Sequence, residues 1–120
     1  MTTPIQNEHR RFASAKVVTI ARAILSGELG IVAGARQLAP WRFDLDEERD
    51  PDFMHFVGLD SETDDLPIGA VRAKWSPNAL SAKDEQLRAY EASVRDQTFR
   101  ACQNLIQKYE KLEDGTIEVE

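Results

Sequence analysis

The side chains that could do chemistry are concentrated in residues 44–65, with the sequence DLDEERDPDFMHFVGLDSETDD. This segment contains ten Asp or Glu and one basic residue, Arg49, so its net charge is −9. The whole chain carries −6, which leaves +3 for all other residues. Carboxylates beside an imidazole can bind a metal ion, transfer protons, or present a charged face to a partner. Each of these functions requires a different spacing of residues.

A calcium-binding EF-hand loop requires acids or other oxygen ligands at fixed positions of a twelve-residue segment. In a loop that begins at Asp60, acids occupy positions 1, 3 and 5. Position 6 requires glycine but is Asp65, and position 12 requires glutamate but is Val71. A loop that begins at Asp44 fails at the same two positions. The spacing therefore excludes an EF-hand.

Transition-metal sites and thiol catalysis require histidines or cysteines that the chain largely lacks. The two histidines, His9 and His55, are 46 residues apart and form no His-x-x-x-His or Glu-x-x-His pair. One cysteine excludes both a disulfide framework and a cysteine-based zinc site. Cys102 lies near Ala101 and Leu105 on the apolar side of a predicted helix, which favours a buried thiol. We therefore expect no metal ion and no cofactor.

A hydrolytic site remains an alternative because two carboxylates that face each other across a cleft can act as acid and base. The abundance of acids alone is weak support for such a site. The sequence has no glycine-rich phosphate loop and no Gly-x-Ser-x-Gly motif. These observations favour a protein that is not an enzyme.

A partner-binding surface is the interpretation that best fits the charge pattern. The candidate residues are four acids that follow an apolar run, and one tryptophan: Asp60, Glu62, Asp64, Asp65 and Trp75. A concentrated negative surface suits a cationic protein partner and disfavours nucleic acid, whose phosphates require clustered Lys and Arg. The alternatives are a solvated loop for the acids and a core position for the tryptophan.

The elements that would position these residues are mainly helical. Apolar residues recur every three or four positions from Glu8 to Ser26, and a second helix follows and ends at Pro40. The longest helix is predicted over about residues 82–112, with Ser81 as N-cap and a short helix before it at Pro77. Its apolar stripe comprises Leu87, Tyr90, Val94, Thr98, Ala101, Leu105, Tyr109 and Leu112. We expect Leu87, Val94, Leu105 and Tyr109 to be buried.

Two segments are predicted to be extended. Residues 53–59, FMHFVGL, are apolar on both faces, and residues 116–120, TIEVE, alternate between polar and apolar. We expect one mainly α domain over residues 1–120: a small bundle of three to four helices with a long C-terminal helix and at most a short two-stranded β element. Residues 53–59 would hold the following acids in a fixed place.

The N-terminal residues MTTPIQNEHRRF lack the layout of a signal peptide, and the stretch VVTIARAILSG is too short for a membrane span. With a single cysteine, these features predict a cytoplasmic protein that does not bind a membrane.

Three motifs, SGELGIVAGARQL (26–38), DSETDDLPIGAVRAKW (60–75) and RACQNLI (100–106), resemble a small bacterial family of mostly helical, cytosolic proteins with no assigned activity. The resemblance covers about residues 18–110. It implies a single helical domain and transfers no catalytic residue.

Three functions are compatible with these observations. We favour a non-enzymatic protein-binding module, for example an immunity-type inhibitor of a basic partner protein. The second is a small-ligand or metal-binding regulator with a pocket near residues 53–65. The third is a carboxylate-dependent hydrolase.

Overall fold

Five α-helices and one 3-10 helix form the part of the chain that the computed structural model describes, residues 4–114, with side chains described for residues 7–111. The helices are α1 (Pro4–Ser26), α2 (Ile31–Leu38), α3 (Trp41–Asp44), α4 (Pro51–Glu62) and α5 (Pro77–Asp114), and the 3-10 helix is Gly69–Lys74. The predicted mainly helical fold with a long C-terminal helix is confirmed. The number of helices is larger than predicted, and residues 4–114 contain no strand.

Residues 53–59 are part of α4, so the prediction of a strand is wrong. The Asp50 carboxylate caps this helix by accepting the backbone N–H groups of Asp52 and Phe53, at 3.1 and 3.2 Å. Pro51 occupies the first turn, where its missing N–H costs nothing. The predicted partner strand, 116–120, lies outside the described residues. A strong helix start at Asp-Pro has overridden the β propensity of the aromatic run.

The core face of α4 explains why this run is apolar. Phe53, Phe56 and Leu59 are buried at spacings of three, which places them on one side of a helix. Apolar residues between them, Met54 and Val57, lie outside this stripe and are only exposed or partly buried. Residues 53–59 are therefore apolar on both sides because one side of α4 faces the core and another leaves apolar side chains partly exposed. They do not form a strand that is buried on both faces.

Helix α5 runs unbroken from Pro77, so the two helices predicted on either side of Ser81 are one. Ser76 supplies the cap, because its Oγ accepts the backbone N–H of Ala79 at 3.2 Å. A helix of 38 residues is about 57 Å long. This length agrees with the longest dimension of the molecule, 56 Å.

The core lies against the C-terminal half of α5. Leu105 and Tyr109 are buried as predicted, whereas Leu87 and Val94, which were also predicted to be buried, are partly exposed. Helix α1 covers this half of α5 with the face that the sequence predicted, which includes Val17 and Ile24. The N-terminal half of α5 contacts the segments that follow α4, through the pairs Arg72–Asp84 and Asp65–Lys83.

Helix α2 packs closely against α1 at Gly34. A Cβ atom at this position would lie 2.5 Å from two side-chain carbons of Ile24. Gly34 therefore marks a close approach between the two helices. Among the described residues, no helix is both long and apolar enough to cross a membrane.

Candidate binding site

The acidic residues form two clusters at opposite ends of α4. The N-terminal acidic cluster comprises Asp46, Glu47, Glu48, Asp50 and Asp52, and the C-terminal acidic cluster comprises Asp60, Glu62, Asp64 and Asp65. A helix of 12 residues spans about 18 Å, which sets the approximate separation of the two clusters. The charged segment predicted from the sequence is therefore divided by the apolar body of a helix.

Two acids of the C-terminal acidic cluster, Asp60 and Asp65, form ion pairs with basic residues of other helices. Asp60 Oδ1 lies 3.4 Å from Arg36 Nε on α2. Asp65 Oδ2 lies 3.3 Å from Lys83 Nζ on α5. Asp64 is exposed and forms no ion pair with any described residue. Of the four acids that were expected to be displayed together, Asp64 is the one without an ion pair or a hydrogen bond to a described side chain.

Glu62, the remaining acid of this cluster, accepts a hydrogen bond from the Tyr90 hydroxyl at 2.5 Å. Burial of the Tyr90 ring and the nearby Glu62 carboxylate raise the pKa of Tyr90. Tyr90 therefore keeps its proton at neutral pH and remains a donor. Glu62 itself is exposed and lies where α4 meets α5.

Arg36 has a structural role at the end of α4. Its guanidinium donates to the carbonyl oxygen of Thr63 and to that of Leu66, the latter at 3.2 Å. A cation beside these carbonyls is favourable because the C-terminus of a helix carries partial negative charge. The same reasoning makes the C-terminal acidic cluster unfavourable for α4. Arg36 offsets this repulsion and fixes the turn that carries the acids.

The N-terminal acidic cluster connects α4 to α5. Lys108 Nζ lies 3.1 Å from Glu47 Oε2 and 3.3 Å from Asp50 Oδ1. Asp46 and Glu48 are exposed, and neither has an ion-pair partner within residues 7–111. Acids near a helix N-terminus are favourable for the helix, so this cluster stabilises α4 while it leaves two carboxylates free.

A groove of about 240 Å³ lies between α4 and α5 and reaches Glu62 of the C-terminal acidic cluster. Its lining residues are Met54, His55, Gly58, Leu59, Glu62, Val94 and Gln97. Met54 is 44% exposed, and a Cβ atom at Gly58 would meet no heavy atom within 4 Å. The groove is therefore open and partly apolar, with the carboxylate of Glu62 at one end.

His55 forms the inner wall of this groove. Its Nε2 lies 2.8 Å from Thr98 Oγ1, which itself donates its only hydrogen to the carbonyl oxygen of Val94. Thr98 must then accept, so Nε2 of His55 carries the hydrogen. Burial lowers the pKa of His55, and the charges of Asp52 and Glu62 only partly oppose this. The imidazole is a neutral, hydrogen-bonded wall residue at neutral pH.

Cys102 lies in the core, as the sequence predicted. It has no exposed surface, and burial raises the pKa of its thiol to about 12. The thiolate that nucleophilic attack or metal binding needs is therefore strongly disfavoured. In the described part of the chain, no group of three or more His, Cys, Asp or Glu side chains could hold a metal ion.

Trp75 is half-buried at the end of the 3-10 helix and does not line the groove. The neighbouring Arg72 forms a two-bond ion pair with Asp84 on α5, with distances of 2.7 and 2.8 Å. This pair attaches the 3-10 helix to α5 and fixes the segment that carries Trp75. The structure thus separates Trp75 from the groove.

The sequence did not identify Met54 and Gly58 as residues that line this groove. A glycine within an apolar run was a usable signal, because glycine in a helix interior marks either a close approach or an open position. In comparisons with known proteins, no family model, no curated protein and no solved structure matches this chain.

Proposed function

We propose that the chain is a non-enzymatic protein-binding module whose α4–α5 groove binds a cationic, partly apolar segment of another protein. The observation that supports this most strongly is the exposed Met54 beside the open backbone of Gly58, with acids at both ends of the same helix. Each part of this arrangement favours one feature of the partner.

The centre of the groove favours an apolar side chain. Methionine is flexible and polarizable, and proteins use it at surfaces that adapt to different partners. Gly58 adds no side chain, so a partner segment can approach the helix backbone closely. With about 240 Å³ the groove is below the usual range for drug-sized ligands, about 300–1,000 Å³. This volume suits one or two side chains of a peptide better than a whole small molecule.

The ends of the groove favour cationic residues. Asp46, Glu48 and Asp64 have no ion-pair partner among the described residues and would gain from a Lys or Arg of the partner. The exposed Asp65–Lys83 pair contributes little stability, since such surface pairs are worth about 0–1 kcal/mol. A cationic side chain of the partner can therefore take the place of Lys83 beside Asp65 with little loss of stability. The field of both clusters would also accelerate association.

Within the N-terminal acidic cluster, Glu47 and Asp50 both contact Lys108 Nζ, at 3.1 and 3.3 Å, so this close pair of carboxylates is held by a structural cation, which disfavours the hydrolase alternative. The two clusters themselves are separated by about 18 Å, whereas paired carboxylates of glycoside hydrolases lie about 5–9.5 Å apart. A bound segment of that length, with basic residues at both ends and an apolar residue in the middle, fits the same spacing.

The narrower form of the proposal is an immunity-type inhibitor that acts in the cytoplasm on a basic partner protein. The acidic clusters and the single, buried Cys102 support it. We also propose that the chain belongs to the bacterial family of helical cytosolic proteins that its three motifs resemble.

The first experiment measures binding of a synthetic amphipathic peptide of lysine and leucine, with a glutamate–leucine peptide as the matched control. We expect saturable binding of the lysine peptide only. Gly58→Leu should block the groove and weaken binding, whereas Ser61→Leu, on the exposed surface of α4 outside the groove, should not. Equal binding of both peptides, or no effect of Gly58→Leu, would contradict the proposal.

A second experiment tests the charges by neutralising Glu62, Asp64 and Asp65 to Gln, Asn and Asn. The variant should associate more slowly with the lysine peptide and show a weaker dependence on salt, because less electrostatic steering remains. Its melting temperature should be unchanged or higher, since these acids lie at the unfavourable end of α4. Association rates that match the wild type at two salt concentrations would remove this cluster from the binding surface.

A further inference from the structure

A second groove, of about 400 Å³, lies on the other side of α5, where the turn between α1 and α2 contacts this helix. Its apolar lining comes from Ile24 on α1, Leu29 in the turn after α1, and Phe99 on α5. Its volume lies within the usual range for small-ligand sites, about 300–1,000 Å³. The groove is therefore larger and better suited to a small molecule than the groove at α4.

Two arginines border this groove. Arg88 and Arg95 are seven residues apart on α5, so they lie on the same helix face about 10 Å apart along the axis. Both are exposed, and neither forms an ion pair with a described residue, although the charge of Arg88 acts on Asp84, which is paired with Arg72. The guanidinium of Arg95 lies 5.1 Å from the centre of the Phe99 ring. This contact directs the cation over the apolar lining.

Ala92 and Glu91 occupy the space between the arginines. Ala92 lies one turn from each arginine and leaves the gap between them open. Glu91 is half-buried, and its Oε2 accepts the backbone N–H of Val32 at 2.9 Å. The carboxylate is thus held at the start of α2, where it satisfies a helix N–H. Two arginines and one glutamate leave the groove with a single net positive charge.

We infer that this groove binds a small amphipathic carboxylate, with the anionic head at Arg88 and Arg95 and the apolar body against Ile24, Leu29 and Phe99. Arginine suits this head because its planar guanidinium donates two parallel hydrogen bonds to a carboxylate. A singly charged head matches the single net charge of the groove. A phosphate monoester, with up to two negative charges, would meet more repulsion from Glu91. The site is independent of the α4–α5 groove.

The experiment titrates the protein with decanoate below its micellar concentration and follows binding by calorimetry and by amide chemical shifts. We expect saturable binding with one ligand per chain and shifts at Leu29 and Phe99. Acetate, decylammonium and decyl phosphate test the apolar body, the sign of the charge and the type of anion. Each should bind more weakly than decanoate.

Matched variants separate the groove from general charge effects. Arg88→Gln with Arg95→Gln should weaken decanoate binding about tenfold or more, as the loss of charged hydrogen bonds does. Arg49→Gln with Arg100→Gln removes the same charge from exposed residues that do not line the groove, and it should have little effect. Ala92→Leu should block binding, whereas Ala89→Leu, exposed on α5 outside the groove, should not.

Several results would overturn the assignment. Decanoate that binds the arginine double variant as well as the wild type would place the ligand elsewhere. Decylammonium binding of equal strength would show a purely apolar surface, and stronger binding of decyl phosphate would show a phosphate site. Dimerisation that the Arg88→Gln, Arg95→Gln variant abolishes would identify a second copy of the chain as the occupant. Absence of saturable decanoate binding would reject the site.

Discussion

The carboxylate of Glu91 on α5 accepts the backbone N–H of Val32 on α2, with a nitrogen–oxygen distance of 2.9 Å. Helix α2 has no cap of its own, because Gly30 occupies the N-cap position and has no side chain to accept a hydrogen bond. A residue 59 positions away in sequence therefore performs the function that Ser, Thr, Asp or Asn usually performs locally. This contact connects the start of α2 to the N-terminal half of α5.

Replacement of Glu91 by Ala should lower the free energy of unfolding by about 0.5–2 kcal/mol, the usual effect of removing a helix cap. Glu91→Gln should retain part of this stability, since an amide oxygen still accepts a hydrogen bond. Denaturant unfolding measures both. The control is Glu85→Ala, an exposed position on the same helix that should change the free energy by less than about 0.5 kcal/mol. Equal effects of the two alanine variants would mean that the cap contributes nothing.

The sequence predicted the positions of α1 and of most of α5 well because both elements have long apolar stripes with helical spacing. It failed at residues 53–59, where aromatic residues suggested a strand while the Asp50–Pro51 start signal specified a helix. Local signals conflicted there, and the packing of Phe53 and Phe56 in the core favoured the helix. The extension of α5 to Pro77 was missed because Ser81 looked like a cap.

The candidate site was predictable only in its composition. The acids and His55 were identified from residue type, but the residues that they contact are distant in sequence. His55 and Thr98 are 43 residues apart, and Asp60 on α4 pairs with Arg36 on α2. No spacing rule relates such residues. The groove itself combines Gly58 with Val94, so its shape follows from how α4 packs against α5 and not from either segment alone.

The core of α5 provides a direct test of burial. Leu105 has no exposed surface, so Leu105→Ala removes buried methyl groups and leaves a cavity. We expect a loss of about 2–5 kcal/mol in the free energy of unfolding. Met54→Ala, at a position that is 44% exposed, should change it much less. Chemical denaturation of both variants checks this. A Leu105→Ala protein as stable as the wild type would mean that the core does not lie against this face.

Substitution by alanine should raise the stability of the protein at Gly58 and lower it at Gly34. Gly58 lies inside α4 with open space around it, so Gly58→Ala should raise stability by about 0.5–1 kcal/mol through helix propensity. At Gly34 the added Cβ would lie 2.5 Å from atoms of Ile24, a buried side chain. Gly34→Ala should therefore lower stability, since overpacking typically costs about 1–3 kcal/mol. Thermal melts of both variants, compared with the wild type, measure the difference. Stabilisation by Gly34→Ala would contradict the close helix approach.

The last prediction concerns the pH dependence of stability at His55. Burial lowers the pKa of this imidazole below its ordinary value, although Asp52 and Glu62 oppose the shift. The unfolded chain then binds the proton more readily than the folded protein does. The resulting stabilisation is complete above the unfolded pKa, about 6.5, and is lost as the pH falls through the folded pKa. Wild-type stability should therefore decrease between about pH 7.5 and about pH 5.5.

His55→Gln isolates this contribution, because glutamine keeps an N–H donor that can reach the Thr98 hydroxyl but does not titrate. The variant should lose less stability than the wild type over the same pH interval, even if it is less stable at neutral pH. Melting temperatures at several pH values for both proteins provide the measurement. His55→Phe, which removes the hydrogen bond as well, should also show the smaller pH dependence. If all three proteins lose stability equally on acidification, His55 is not a buried neutral imidazole in the folded protein.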